Sequence, residues 1–325
     1  MDDGAGAELT RSHERLREEL DDDEIVLPGG PAVVDLLLVE LHHALRPPPF
    51  ENRRTHLYGS FVLPDETSLI PVDNLVELVD LDMPIDRARR FADGRSAFLV
   101  RGGDGPLQLA TFRRTVQYEA DLIEVEQATG ASIVQRTLMG TSRVFTPTGV
   151  VEWNGQSWRH RPSARAHLPA LKAAVPEAPT ALLAGILKLA VHWLSPARIG
   201  ATFLVDLEPR THDDHGIDAS AAIEAPALSV LERHHFAPLF AVLSQTDLAT
   251  LVRLDGRIDR FGVGLRSSVE SESAVHLDAG MRHRSAARYT WDHDHAVAVV
   301  VSEDGPVTVF RRGEPIPVCL DPGAG

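Results

Sequence analysis

"GMRHRSAARYTWDHDHAVAVVVS", residues 280–302, decides how the second half of this 325-residue chain is read. A glycine precedes two arginines flanking a histidine, and a run of small residues follows, the composition of a helix start. Gly280 marks a backbone that needs either positive φ or an unobstructed approach to a ligand. With a helix starting just after it, free amides and the helix dipole favour an anion at that end. Arg282 and Arg284 add permanently charged forks suited to phosphate oxygens, and His283 is expected to touch a different part of a ligand. The local pattern alone leaves a solvated helix face equally open. After the polar "DHDH" (292–295), read as a solvated loop or helix end, "AVAVVVS" (296–302) is an apolar strand.

Working outward, "TALLAGILKLAVHWL" (180–194) places Leu182, Leu183, Ile186, Leu187, Ala190, Trp193 and Leu194 at helical spacing. Ser195–Pro196 ends it, and "RIGATFLVDL" (198–207) is a buried strand. A helix interrupted or started at Pro226 is expected in 219–236. "DLATLVRL" (247–254), the turn Asp255–Gly256 and "RIDRFGVGL" (257–265) form a hairpin. A last strand, 306–312, follows the turn at 303–305. This order predicts an α/β domain over 179–318, a mixed sheet covered by helices.

The first half differs. Residues 1–30 read as an acidic lead, frayed or helical. Residues 31–46 read as a helix with Pro31 in its first turn. Strand-like alternation follows, with a hairpin over 96–112 turning at "GGDG" and short strands over 142–160 joined at Gly149 and Asn154–Gly155. That makes residues 31–160 an α+β module, for which a sensor or regulatory role is expected only by analogy, from its fusion to the domain that follows, and 161–178, rich in Pro and Ala, a partly helical linker.

Bulk composition narrows the function classes. Apolar residues make up 43% and charged residues 24%, an ordinary globular balance. A net charge of −15 argues against general nucleic-acid binding, so a phosphate site must be local. The single cysteine, Cys319, makes neither an intrachain bridge nor a cysteine-based zinc site. The acidic N-terminus shows no signal-peptide pattern, and "AVVDLLLVEL" carries Asp35 and Glu40. The expectation is a cytoplasmic protein with no membrane segment.

From about 180 to 312, the order of features resembles the diadenylate cyclase (DAC) domain family, found in the bacterial DNA integrity scanning protein. That family carries Asp-Gly-Ala on a strand before a hairpin, Gly-Thr-Arg-His-Arg at a helix start, and an apolar strand ending in Ser-Glu-Glu. The matching residues here are Asp247-Leu248-Ala249, Gly280-Met281-Arg282-His283-Arg284 and Ser302-Glu303-Asp304. The resemblance implies ATP binding and condensation of two ATP into cyclic di-AMP with release of two pyrophosphates. It further implies two DAC domains meeting face to face in a homo-oligomer, and Mg²⁺ or Mn²⁺. Asp247 would hold the metal and help activate the 3′-hydroxyl, with Glu303 supporting the metal. Arg282, His283 and Arg284 would grip phosphates, and Leu248, Ala249, Gly280, Met281 and Ser302 would line the nucleotide.

Three positions depart from the family pattern: Thr246 where histidine is common, Leu248 in place of glycine, and Met281 in place of threonine. They keep a second reading open, a module that senses ATP or cyclic di-AMP, or a partner, without turnover. Other constellations carry less. "HDDH" (212–215) reads as a polar loop rather than a metal site. Glu119, Asp121, Glu124 and Glu126 read as a solvated acidic face rather than a metal cluster. Trp153 and Trp158 are expected to cover a small core, and no P-loop is present.

Overall fold

The computed structural model describes residues 3–50, 53–54, 57–64, 76–102, 105–208, 216–303 and 305–316. The "HDDH" loop, Asp304, Cys319 and the tip of the "GGDG" turn lie outside the described residues. The chain divides into two compact units, Met1–Pro162 and Ser163–Gly325.

Unit 1 begins with helices α1 (Asp3–Asp22) and α2 (Pro31–Leu45), α2 with proline at its start as its sequence predicts. Two short strands, β1 (Pro49–Phe50) and β2 (Arg53–Arg54), pair with each other. Then follow β3 (Tyr58–Val62), β4 (Val76–Asp80), the short helix α3 (Ile85–Ala88), β5 (Ala97–Arg101) and β6 (Gln108–Phe112). Helix α4 (Glu119–Thr129) precedes β7 (Ser132–Arg136), β8 (Ser142–Thr146), β9 (Gly149–Trp153) and β10 (Trp158–Pro162). The sheet order is β10-β9-β8-β7-β3-β5-β6-β4, with β3 and β5 parallel and the other pairs antiparallel.

Alternation along β3 sorts the core. Tyr58 and Val62 join Leu37 and Leu41 of α2 on one face, while Phe61 meets Leu122 and Ile123 of α4 on the other. Leu16 and Leu20 of α1 are buried in the α2 cluster, so residues 1–30 are no detached lead. Helix α4 also corrects an expectation: Glu119 and Glu126 are buried, not solvated, and Glu119 is ion-paired with Arg161 and Arg143. Trp153 and Trp158 pack together at 5.2 Å between ring centroids, over the α2 core.

Unit 2 opens with α5 (Ala164–Ala174) and α6 (Thr180–Leu189). The stretch expected as a linker is therefore largely structured: Ser163 caps α5 through its hydroxyl, and His167 and Leu171 are buried. α6 continues through a π-helical turn (Ala190–Leu194) and a 3-10 turn (Ser195–Ala197). Thr180–Ala197 is long and apolar enough to cross a membrane, yet 67% of it is buried, as in a core helix. Next come β11 (Ala201–Asp206), β12 (Ile217–Asp218) and β13 (Ile223–Glu224). The helix expected in 219–236 is absent; that stretch holds β13 and a 3-10 turn (Arg233–His235), and helix α7 (Phe236–Leu243) begins only at its end. Pro226 and Pro238 explain the shift, because only the second sits where a first helical turn tolerates it.

The rest follows the expected order with two unforeseen additions, α8 and β18: β14 (Ala249–Val252), β15 (Ile258–Leu265), α8 (Val269–Ala274), α9 (Met281–Asp292), β16 (Ala296–Val301), β17 (Val307–Arg311) and β18 (Glu314–Ile316). The sheet runs β12-β15-β14-β11-β16-β17-β18, with β13 beside β15. β11 and β14 are parallel, and β11 and β16 antiparallel, so the sheet is mixed. Every residue of β16 is buried. Ala296, Ala298 and Val300 share a cluster with Ala286, Ala287 and Tyr289 of α9.

Candidate functional site

Strand register brings three chain segments to one edge of the unit 2 sheet. Thr202 pairs with Ala249 and Ala201 with Val301. Extending that register by a residue or two places Gly200, Asp247 and Ser302 side by side. Helix α9 starts at the same edge, held by packing of its small-residue face on β16.

Asp247 and Glu303 converge on one side chain of that helix. Arg282 donates from Nη2 to Asp247 Oδ1 at 3.0 Å and from Nη1 to Glu303 Oε1 at 2.8 Å. The two carboxyl side chains are 74% and 68% exposed, so each ion pair is worth at most about 1 kcal/mol. The arrangement is open and exchangeable rather than a buried lock. Asp247 is held below the usual carboxylate range by the Leu248 N–H and then by Arg282, so it stays anionic at neutral pH. The Nε of Arg282 is buried and finds no hydrogen-bond partner.

Gly280 caps α9 in an ordinary extended conformation, φ −59° and ψ 166°, so the positive φ expected there is not found. Space is the property that remains: a Cβ added at Gly280 would meet nothing within 4 Å. The first amide to find a helical acceptor is Arg284 N–H, bonded to Gly280 O at 3.2 Å, and no side chain caps the helix. The amides of Met281, Arg282 and His283 thus precede the helical ladder, as an anion site requires.

The two arginines do not act as a pair. Two residues apart on a helix, they diverge, and Arg284 donates to Ala279 O at 2.7 Å, tying down the preceding loop. His283 sits edge-on to Phe310 with centroids 5.8 Å apart. Burial, then the Arg282 charge, lowers its pKa, so the ring is neutral at pH 7. Ala249 is buried in β14, whereas Leu248 and Met281 are exposed at 52% and 74% and flank the ion-paired cluster. Ser302 lies in a tight turn, its N–H bonded to Pro306 O at 2.9 Å.

Leu248 is the strained residue of the site, with φ +70°. That left-handed geometry is where the family's glycine would be at ease. Nearby, the β14–β15 ladder shifts register around Ala249–Leu251, and Gly262 opposite takes φ +73°. The residue that sequence reasoning overlooked is Gly200. A Cβ there would lie 2.4 Å from Arg282 Nη1 and 3.1 Å from Glu303 Cγ. The only advance signal was a glycine at the start of a strand, Ile199-Gly200-Ala201.

Two hard oxygen donors held against one cationic group form a donor set suited to a divalent cation such as Mg²⁺ or Mn²⁺, which would compete with Arg282 for them.

Comparison with known proteins locates this edge within a family. Residues 188–315 match the family described as DisA bacterial checkpoint controller nucleotide-binding, the DAC domain. Residues 14–161 match the family described as probable sensor domain DACNK. No curated protein matches the chain. Among solved structures, a double-cysteine mutant of DacA from Staphylococcus aureus is similar at 20% identity and a TM-score of 0.31, covering 41% of this chain and 83% of that one. A hypothetical membrane spanning protein from Bacillus cereus is similar at 18% identity and a TM-score of 0.29, covering 47% of this chain and 87% of that one. The second unit of the chain carries a domain of the diadenylate cyclase (DAC) family over residues 188–315, and residues 14–161 of the first match a probable sensor domain.

Proposed function

We propose that unit 2 binds ATP at the edge formed by Asp247, Arg282, Glu303 and the first turn of α9, and condenses two ATP into cyclic di-AMP. The supporting observation is the convergence of Asp247 and Glu303 on Arg282 beside uncapped helix amides. In the reaction, the 3′-hydroxyl oxygen of each ATP forms a bond to the α-phosphorus of the other. The bond from that phosphorus to the pyrophosphate oxygen breaks, two pyrophosphates leave with the electron pairs, and the proton of each 3′-hydroxyl passes to solvent. Two domains facing each other supply the two nucleotides.

The residues divide this work by charge. The α9 amides and Arg282 bind triphosphate oxygens and stabilise the leaving pyrophosphate. Asp247 and Glu303 would hold Mg²⁺ or Mn²⁺, which spreads phosphate charge and acidifies the attacking hydroxyl. Asp247, anionic at neutral pH, would hold the cation and help activate the 3′-hydroxyl. Arg284 keeps the 279–281 loop in place through Ala279 O, and neutral His283 fixes the helix against β17. Binding frees Arg282 from its carboxylates at little cost, since both contacts are solvent-exposed.

One observation favours the second reading, a nucleotide sensor without turnover: Leu248, at φ +70°, places an isobutyl group beside Asp247 where the family has none. Incubation of the purified protein with ATP and Mn²⁺ or Mg²⁺, with chromatography for cyclic di-AMP, separates the two. Product that disappears in Asp247→Asn and falls by about 10²–10³ in Arg282→Ala supports the cyclase. ATP binding without product, weakened in Arg282→Ala, supports the sensor.

A further inference from the structure

Unit 1 contains a concavity that the nucleotide chemistry does not use. A cavity of 220 Å³ opens beside Leu57 at the entry to β3, Gln135 at the end of β7 and Glu119 in the first turn of α4. Its inner wall is apolar, with Val116 and Leu122 buried. Its rim carries two large apolar side chains left in water, Leu138 at 58% and Met139 at 92% exposure. Leu138 and Met139 lie in the tight β7–β8 connection, where Thr137 N–H bonds Thr141 O at 2.9 Å. A well-held turn that presents two such side chains at a cavity mouth is suited to covering an apolar guest.

Of the three charged side chains that line the cavity, Arg95, Glu119 and Arg143, two have ion-pair partners. Glu119 is bonded by both terminal nitrogens of Arg161 and faces Arg143 Nη1 at 3.6 Å. Arg143 Nε in turn reaches Glu152 at 3.1 Å. Glu119 and Arg143 are thus each engaged by a group of opposite charge. Arg95 remains: it lines the same cavity, is exposed, and forms no ion pair among the described residues. Its backbone is held, because Asp93 Oδ1 accepts the amides of Arg95, Ser96 and Ala97 at 2.7–2.9 Å. Size sets the last limit. Sites for drug-sized ligands run to about 300–1,000 Å³, so this one takes a fragment rather than a nucleotide.

We propose that this cavity is a binding site for a small organic monoanion, a carboxylate on a compact hydrocarbon body. The carboxylate pairs with Arg95, and the hydrocarbon lies against Val116 and Leu122 beneath Leu138 and Met139. The site stands independently of cyclase activity, and its test uses binding alone.

Phenylacetate is a suitable probe, with phenylacetamide as its neutral counterpart and sulfate as an anion without a hydrocarbon body. Binding to the full chain is measured by calorimetry and by saturation transfer from the protein to the phenyl protons. The expected result is phenylacetate binding about tenfold more tightly than phenylacetamide, with no measurable sulfate binding. Arg95→Gln removes the preference for the acid, and Met139→Ser weakens acid and amide alike. Both positions are exposed, so both variants keep the parent melting temperature, which is checked alongside. Three outcomes overturn the proposal: no phenylacetate binding in the millimolar range, equal affinity for acid and amide, or an Arg95→Gln variant that keeps the preference.

Discussion

Two positions in unit 2 hold the site in shape without carrying a charge. At Gly200 the clash of an added Cβ falls mainly on Arg282, the far end of a flexible side chain. Gly200→Ala is therefore expected to leave the melting temperature nearly unchanged while pushing the guanidinium off Asp247 and Glu303. Because nucleotide binding releases Arg282 from these carboxylates in any case, ATP affinity, read by calorimetry, should stay within a few-fold of the parent; a loss as large as that of Arg282→Ala would refute a steric role confined to the unliganded site. At Leu248 the backbone, not the side chain, sets the energy. Relief of φ +70° in Leu248→Gly gains about 1–2 kcal/mol, and the added flexibility of glycine returns about 0.5–1 kcal/mol. The expected net gain raises the melting temperature of unit 2 by about 2–4 °C. The same variant restores the family's Asp-Gly-Ala, so a rise in product formation accompanies it if Leu248 obstructs turnover. Arg282 stood out because a charged stretch announces its chemistry, whereas Asp247 and Glu303 were named only through the resemblance to the DAC family. Gly200 was not legible, because its role is to be empty, and its partner Arg282 lies 82 positions further along the chain.

Elements in this chain are pinned by charges placed inside them. Glu40, on the inner face of α2, has no exposure and accepts from Tyr58 Oη, Arg101 Nη1 and, at 3.0 Å, Arg89 Nη2. Glu40→Gln would leave two arginines without their shared counter-charge, and a loss of about 3–5 kcal/mol is expected by urea denaturation. One turn along, His43 lies edge-on to Tyr58 at 4.6 Å, and burial, then Arg89, lowers its pKa to about 4. Above pH 6.5 the ring is neutral in folded and unfolded chains alike; between 6.5 and about 4 only the unfolded chain takes up the proton. Stability therefore falls as pH falls through that window, and His43→Leu should shrink the drop in melting temperature between about pH 7 and pH 5. His13 and His42, also lowered by burial, keep part of the slope. These contacts explain which elements were readable in advance. The regular spacing of apolar residues in α2, α6 and β16 is local and visible. The burial of Glu119 in α4 is not, because Arg143 and Arg161 lie 24 and 42 residues away. Helix α7, "FAPLFAVL", is almost wholly apolar and so has no readable face, and Pro238 reads as a break although it falls in the first helical turn.

At the scale of the whole chain, the question is where the second unit begins. Composition places a linker over 161–178 and a domain start at 179, because proline and alanine are dense there. The contacts assign residues 163–178 to unit 2 and leave Arg161 and Pro162 in β10 of unit 1. Ala164 N–H donates to His192 Nε2 at 3.1 Å, and Arg311 holds Ala174 O and, at 3.0 Å, Glu177. Leu171, Val175 and Ala178 are buried. Two buried aliphatic side chains of that size are worth about 3–6 kcal/mol together, a large part of the roughly 5–15 kcal/mol that a domain has in hand. A fragment from Ser163 should therefore unfold cooperatively in urea, while one from Pro179 should be strongly destabilised or fail to fold. Adding Arg311→Leu to the longer fragment tests the same contacts without shortening the chain. It is expected to lower the urea midpoint, because Ala174 O and Glu177 lose their donor on β17. Equal midpoints for the fragments from 163 and 179 would mean that α5 is a true linker, and that the helix contributes nothing to the sheet whose strand ends place Asp247 and Glu303 beside Arg282 of α9.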